Sequence, residues 1–580
     1  MNVHYTREKN TQVLIALLKA HSIRHVIASP GNMNTAFVGS IQHDSYFKVY
    51  SSVDERSAAY MACGLAAEIG EPVVISCTGA TASRNYLPGM TEAFYRKLPV
   101  LAITSSQIVS RVGHHSAQMI DRSVVQKDVA MLSVSLPVVK DDDDLWDCEI
   151  KVNQAILALK RHGGGPVHIN LPTTFSTPYD VQELPEYRII DRIIVDNHFP
   201  VLADKVAVFV GAHKAWTPEE TEALDRFCSA NDAVVFCDHT SGYNGKYRLQ
   251  YALATGQEVH DFSEDRPDVL IHIGEITGDY FNLNISANTQ VWRVNEDGEI
   301  RDTFRKLRYV FEMPEKTFFS HYAQQGEGRQ ETYFPSCKAR LAELRDKIPV
   351  LPFSNIWLAS KLAHRIPEGS AIHFGILNSL RAWNFYELPP SVASASNVGG
   401  FGIDGGLSSL VGASLANKDK LYYMILGDLA FFYDMNVAGN RHIGRNLRIL
   451  LVNNGKGTEF RQYNHHAAYF GVDADEFIAA AGHFGNKSPT LVKHYAEDLG
   501  FEYFSASNEQ EFDKVYKRFL TVDITERSMI FEVFTDSTKE SAALQAILNI
   551  EENFKGRAKH LAKQWLGESG LKTLKKIIRD

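Results

Sequence analysis

Short apolar runs alternate along the chain with stretches whose apolar residues recur at helical spacing. Up to about residue 185 the runs are HVIA (25–28), PVVIS (72–76), PVLAIT (99–104) and PVHINL (166–171). Near-continuous apolar strands separated by amphipathic helices predict a parallel sheet buried on both faces. The polar, proline-bearing stretch TPYDVQELPEYRII then predicts a linker. A second set of runs, VAVFVG (206–211), AVVFC (233–237), VLIHIG (269–274) and VWRV (291–294), predicts a smaller open α/β domain. The charge-rich segment from about 327 to 346 leads to a third set: AIHF, LYYMIL, LRILLVNN, FEYFSA and SMIFEVF. The expected fold class is therefore α/β, with three doubly wound parallel-sheet domains over about 1–185, 190–345 and 350–545. The basic, helically patterned tail, 546–580, is expected to be a solvated helix, with a lid or an oligomer contact as the alternative.

Length agrees with several domains, since 580 residues exceed what one core supports. With 44% hydrophobic and 22% charged residues the composition is that of a globular protein, not a disordered or fibrous one. A net charge of -9 argues against a general electrostatic grip on nucleic acid or an anionic membrane. The six cysteines (Cys63, Cys77, Cys148, Cys228, Cys237, Cys337) form no CxxC pair, so neither a disulfide framework nor a zinc site is expected. MNVHYTREKNTQ lacks the basic start and apolar stretch of a secretion signal, and a soluble cytoplasmic protein is expected.

The chemistry concentrates at strand ends. LYYMIL runs into Gly427 and Asp428, and LRILLV reaches Asn454, 26 positions after Asp428. A strand-helix-strand unit brings two such ends to one crevice, where a carboxylate and an amide oxygen can share one hard cation such as magnesium. Gly427, Gly455 and Gly457 would let a diphosphate approach the backbone. Taken on their own, the GD and NN pairs are equally strand-ending turns. Near the other end of the chain Glu55 opens a helix rich in small residues, a position where an acid also serves as a simple helix-dipole partner.

GDLAFFYDMN followed by NNGKG resembles the binding motif of the thiamine-diphosphate-dependent enzymes, of the pyruvate decarboxylase and acetolactate synthase type, with Leu429 in place of the usual third glycine. VDERSAAYMACGLAAEIG, followed by CTGATASRNYLPGMTEAFY, resembles the segment that carries their activating glutamate. The resemblance covers roughly residues 10 to 540. It implies thiamine diphosphate and Mg2+ as cofactors, with Asp428, Asn454 and the Lys456 carbonyl as metal ligands. Glu55 would hydrogen-bond the aminopyrimidine ring, whose tautomer then removes the thiazolium C2 proton. Gly31, Asn32, Thr78, Asn85, Gly402, Ile403, Gly427 and Leu429 complete the implied cofactor contacts, Ile403 as the wedge that bends the cofactor. In that family each active site is built from two subunits, so a homodimer or homotetramer is implied.

The third domain resembles most the 2-succinyl-5-enolpyruvyl-6-hydroxy-3-cyclohexene-1-carboxylate synthases, through LNSLRAW, SNVGGFGIDGGLSSLVGASLA and VNNGKGTEF. Three arginines of that pattern are here Met33, Trp383 and Val398, and guanidinium is hard to replace as a carboxylate grip. SPGNMN with GHHSAQMID resembles instead the decarboxylase elements, with His114 and His115 as the proton-handling pair and Asn32 at an aspartate position. Against this stands the reading of two surface histidines in a loop. Glu459, with Arg461, His465 and His466 nearby, is the further catalytic candidate, and Arg84, Arg381 and Arg461 are candidate carboxylate partners.

The expected activity is decarboxylation of a 2-oxo acid followed by carboligation of the acyl group to a carbonyl or enoate acceptor. The alternatives are simple decarboxylation to an aldehyde and a catalytically silent assembly subunit. The middle domain carries no dinucleotide fingerprint, which leaves flavin there open.

Overall fold

A computed structural model describes residues 4–550 apart from 123–124, 259–265, 280, 287–288, 327–328 and 484–486. The expected tail beyond residue 550 lies outside the described residues. The chain forms two compact units, Met1–Ile194 with Gly298–Val310, and Val195–Asp297 with Phe311–Asp580.

The first unit is built on strands β1 (His25–Ala28), β2 (Lys48–Ser51), β3 (Val73–Cys77), β4 (Val100–Ser106), β5 (Leu132–Ser135) and β6 (Val167–Pro172), all parallel, in the order β2-β1-β3-β4-β6-β5. Its inner strands are buried throughout. Alternation along each strand splits the core into two layers. Val26, Val74, Leu101 and Ile169 pack with Leu14 and Leu18 of helix Lys9–Ala20 and with Val152 of helix Asp142–Ala158. Ile27, Ile75, Val100 and Ala102 pack on the other face with Ala58, Ala59, Ala62 and Ala66. Those alanines belong to helix Glu55–Ile69, which Asp54 caps by accepting from the Arg56 N–H and which Gly70 ends at φ 67°. The small residues let a second helix, Leu87–Tyr95, approach closely: a Cβ at Gly89 would collide with Ala59.

The strand Asp191–Ile193 (β7) follows. In the second unit β8 (Val206–Val210), β9 (Val234–Cys237), β10 (Arg248–Gln250), β11 (Val269–Ile273) and β12 (Gln290–Asn295) run parallel in the order β10-β9-β8-β11-β12. After β13 (Leu307–Glu312) comes the third sheet, of β14 (Ala371–Phe374), β15 (Ala393–Ser396), β16 (Tyr422–Gly427), β17 (Leu447–Asn453), β18 (Glu502–Ala506) and β19 (Met529–Phe534). Its order, β15-β14-β16-β17-β19-β18, repeats that of the first sheet strand for strand. The expected α/β class with parallel sheets is what the chain adopts. Strands β5, β10 and β15 are absent from the periodicity reading because LSVS, RLQ and ASAS carry too few apolar residues. Among the described residues no helix is long and apolar enough to cross a membrane.

Candidate active site

In the first sheet the chain reverses direction of travel between β1 and β3, the point where an open α/β sheet forms its ligand crevice. Ala28 and Ser76 are paired neighbours, so the loops that leave these two strands meet. A Cβ at Gly31 would lie 2.7 Å from Thr78 Cβ, and the Met33 N–H reaches Thr78 Oγ1 at 3.3 Å. Asn34, buried, donates to the Ser29 carbonyl at 3.0 Å and locks the same loop. Asn32 is exposed, and its carbonyl accepts from Thr35 Oγ1 at 2.7 Å. Glu55 stands half-buried at the first position of its helix, where Oε2 accepts from Asn85 Nδ2 at 3.3 Å. The structure thus brings Glu55 and Asn85 together, and Gly31 and Thr78 together. His114 and His115 lie exposed in the turn after Val109–Arg111, with His115 at φ 53°, and neither side chain has a hydrogen bond among the described residues.

In the third sheet β16 and β17 pair in register, Gly427 opposite Val452. Asp428 therefore starts helix Asp428–Asp434 beside the residues that follow Asn453. Its carboxylate is buried and accepts from the backbone N–H groups of Leu429 and Gly455, with Gly455 at φ 75°. Burial still pushes its pKa up to about 7, and the charge of Glu532 adds to the rise. Asn454 Oδ1 is buried without any partner. A desolvated carboxylate and an orphaned amide oxygen at adjacent strand ends are what a hard cation would satisfy, so these residues fit Mg2+. Among the described residues no three His, Cys, Asp or Glu side chains cluster, so the remaining ligands of such an ion would be carbonyls, water and phosphate. The Lys456 side chain is drawn away to Asp475 at 2.7 Å, so only its backbone carbonyl could serve such an ion. Asn453 is structural: its Nδ2 donates to Glu532 Oε1 at 2.7 Å.

Gly402 and Ile403 sit in the half-buried loop before helix Gly406–Ser414, where a Cβ at Gly402 would collide with Asp404. Glu459 lines a cavity of about 230 Å³ together with Arg381, Asn378, Gln462, His465 and Glu540. Arg381 Nη1 bonds Glu459 Oε1 at 2.6 Å. Burial lowers the His465 pKa, and its ring stacks on His466 at 4.2 Å. Arg461 turns elsewhere, to the Gly471 carbonyl and to Asp475 at 3.5 Å. Met33, Trp383 and Val398, which stand where the synthase pattern has arginines, are all buried, and Trp383 Nε1 donates to Asn355 Oδ1 at 3.2 Å.

Sequence reasoning missed Glu540. It is buried, accepts from the Asn355 N–H at 3.0 Å and from Thr535 Oγ1 at 2.7 Å, and burial raises its pKa to about 7. The signal was present: Glu540, Ala543, Leu544, Ile547 and Leu548 share one stripe of helix Ser537–Leu548, so an acid interrupts an apolar face. Arg122, which lines a cavity in the first unit, left no such signal.

Two sheets of identical strand order, one presenting an acid at a helix start and the other a buried carboxylate beside an orphaned amide, define the architecture of a thiamine-diphosphate enzyme. Residues 9–125 match the family described as thiamine pyrophosphate enzyme, N-terminal TPP binding domain. The chain is 31% identical to the 2-succinyl-5-enolpyruvyl-6-hydroxy-3-cyclohexene-1-carboxylate synthase of Phocaeicola vulgatus, over 93% of this chain and 98% of that protein. It is 30% identical to the synthase of the same name from Bacteroides fragilis, with the same coverage, and 26% identical to that of Flavobacterium johnsoniae. The chain belongs to the family of thiamine-pyrophosphate enzymes that includes these synthases.

Proposed function

We propose that this protein binds thiamine diphosphate with Mg2+, decarboxylates a 2-oxo acid and joins the remaining acyl group to a carbonyl or enoate acceptor. The carrying observation is the buried Asp428 carboxylate beside the unpartnered Asn454 Oδ1. Asp428, Asn454 and the Lys456 carbonyl would hold the cation, and Glu55 would hold the pyrimidine ring. When bound, thiamine diphosphate supplies a nucleophilic carbon and a sink for the electron pair left by carbon dioxide. With Oε2 tied to Asn85, Glu55 keeps Oε1 for a ring nitrogen and can hold a proton there. Glu459, fixed by Arg381, and His465 wall a cavity in which a substrate's polar groups can be oriented and a proton exchanged.

The synthase relatives favour carboligation. A simple decarboxylase is the second reading, favoured by one observation: Met33, Trp383 and Val398 are buried apolar side chains, so three carboxylate grips of the synthase pattern are missing. Assembly into at least a homodimer belongs to the same proposal. Val53, Tyr60 and Tyr95 of the first unit are 80%, 47% and 70% exposed, and Tyr469 and Phe477 of the second are 88% and 87% exposed, so both units offer large apolar side chains that a partner subunit could cover.

The test has two stages. Calorimetric titration of thiamine diphosphate with Mg2+ into metal-stripped protein should show tight, metal-dependent binding that Asp428→Ala removes; absence of binding by the native protein sinks the proposal. Product analysis with 2-oxo acids, alone and with aldehydes or enoates, then separates ligase from decarboxylase.

A further inference from the structure

Burying an arginine without an acid is costly, because its guanidinium stays charged and cannot discard a proton as a lysine can. In the first unit Arg161 and Arg188 obey this rule, Arg161 pairing with Glu299 at 2.6 Å and Arg188 with Glu149 at 2.9 Å and Asp302 at 2.5 Å. Arg122 does not. Its Nη2 donates to the neutral Asn170 Oδ1 at 2.5 Å, its Nη1 is buried with no acceptor, and no carboxylate among the described residues lies within ion-pair distance. Burial lowers its pKa to about 10, opposed by the Cys77 thiol and by no carboxylate partner.

Arg122 lines a cavity of about 100 Å³ between helices Thr81–Asn85 and Leu87–Tyr95 and the strands β4 and β6. Arg84 lines it too, exposed, with no hydrogen-bond or ion-pair partner among the described residues. Thr104 and His168 form its polar wall. His168 is fixed between Thr104 Oγ1 at 2.7 Å and Ser133 Oγ at 2.8 Å, and full burial holds it neutral at a pKa of about 3. The histidine therefore adds no charge, and the two arginines set the sign of the cavity against one exposed acid, Asp121. The volume is too small for a whole ligand of ordinary size, but it admits a carboxylate and a short stem.

The cavity adjoins the strand-end loops already described. A Cβ at Gly79 would sit 3.6 Å from Arg122 Nη1, and Gly79 follows Thr78 directly. Arg84 precedes Asn85, the partner of Glu55. The candidate arginines of the second unit contrast with these two, since Arg381 is bound by Glu459 and Arg461 by Asp475.

We infer that this cavity is a carboxylate subsite in which Arg122 and Arg84 hold one carboxylate group of a small organic acid. The identification of that acid as a substrate rests on the proposed function; a free organic acid that binds without reacting is the other source of the same chemistry. Charge-assisted contacts from two guanidinium groups match the planar carboxylate fork.

The test uses the full chain saturated with thiamine diphosphate and Mg2+. Succinate, pyruvate and 2-oxoglutarate are titrated calorimetrically into the native protein and into Arg122→Gln, Arg122→Lys and Arg84→Gln, with thermal unfolding as the check on folding. The inference expects at least one probe to bind, Arg122→Gln to weaken it about 10-fold or more, Arg84→Gln about 3-fold or more with an unchanged unfolding midpoint, and Arg122→Lys to keep part of the affinity. Binding of the 2-oxo acids without succinate assigns the subsite to a substrate, and binding of succinate as well assigns it to carboxylates in general; both uphold it. Should Arg122→Gln fail to fold, Arg84→Gln decides. Unchanged affinity in every folded variant overturns the inference, as does a cofactor-bound native protein that takes none of the three probes. If the native protein binds no cofactor but holds succinate in an Arg84- and Arg122-dependent way, the proposed function falls and the subsite stands.

Discussion

The first and third sheets share one strand order, β2-β1-β3-β4-β6-β5 and β15-β14-β16-β17-β19-β18, yet the loops at their strand ends present different side chains. The third sheet ends in oxygen atoms: the buried Asp428 carboxylate and the unpartnered Asn454 Oδ1. The first ends in a half-buried acid at a helix start and an unneutralised arginine, Arg122. One topology thus offers oxygen atoms that would suit a cation in one case, and an acid and a guanidinium that would suit polar and anionic groups in the other. Topology fixes where the crevice lies; the residue following each strand fixes what enters it.

The largest expected effect comes from removing the third sheet's oxygen cluster. Asp428→Ala should weaken Mg2+-dependent binding of thiamine diphosphate by about 100-fold or more, read by calorimetry, while leaving the fold intact by circular dichroism. On the first sheet Glu55→Gln should lower turnover by about 100- to 1,000-fold with cofactor affinity changed far less, since the variant loses proton handling and little of the contact surface. Equal losses of affinity in both variants would erase the division of labour between the sheets.

Stability separates them further. At Gly31 the approach to Thr78 leaves no room for a methyl group, so Gly31→Ala should cost roughly 1–3 kcal/mol in urea unfolding. Glu540, beside the third sheet, holds its proton to about pH 7 in the native state against an ordinary value of 4.5. The folded protein therefore binds more protons than the unfolded chain between these values, and stability falls as pH rises through that window. Glu540→Gln should flatten the fall, by roughly 2–3 kcal/mol at pH 8 relative to pH 4. The smallest effect belongs to the exposed loop of the first unit: replacing His114 and His115 by Gln should change stability by less than about 0.5 kcal/mol.

Much of this was legible in the sequence. The runs HVIA and AIHF coincide with β1 and β14, because a strand covered on both faces is apolar at most of its positions. Asp428 and Asn454 were found from a spacing that strand, helix and strand impose. Edge strands such as ASAS were not, since a four-residue strand whose only apolar side chains are alanines stands out too little from a loop. The buried carboxylate Glu540 stood in plain view within an apolar stripe and went unread.

By itself the sequence determined where most of the buried strands lie and which residues end those that carry the candidate chemistry, because burial and backbone chemistry act over a few neighbouring positions. Only the tertiary structure decided that Asn85 meets Glu55, that Arg381 belongs to Glu459, and that Arg122 lies beside Gly79 with no carboxylate at ion-pair distance among the described residues. These pairings span from 30 to 78 positions of chain and depend on the order in which parallel strands assemble, which no local periodicity encodes.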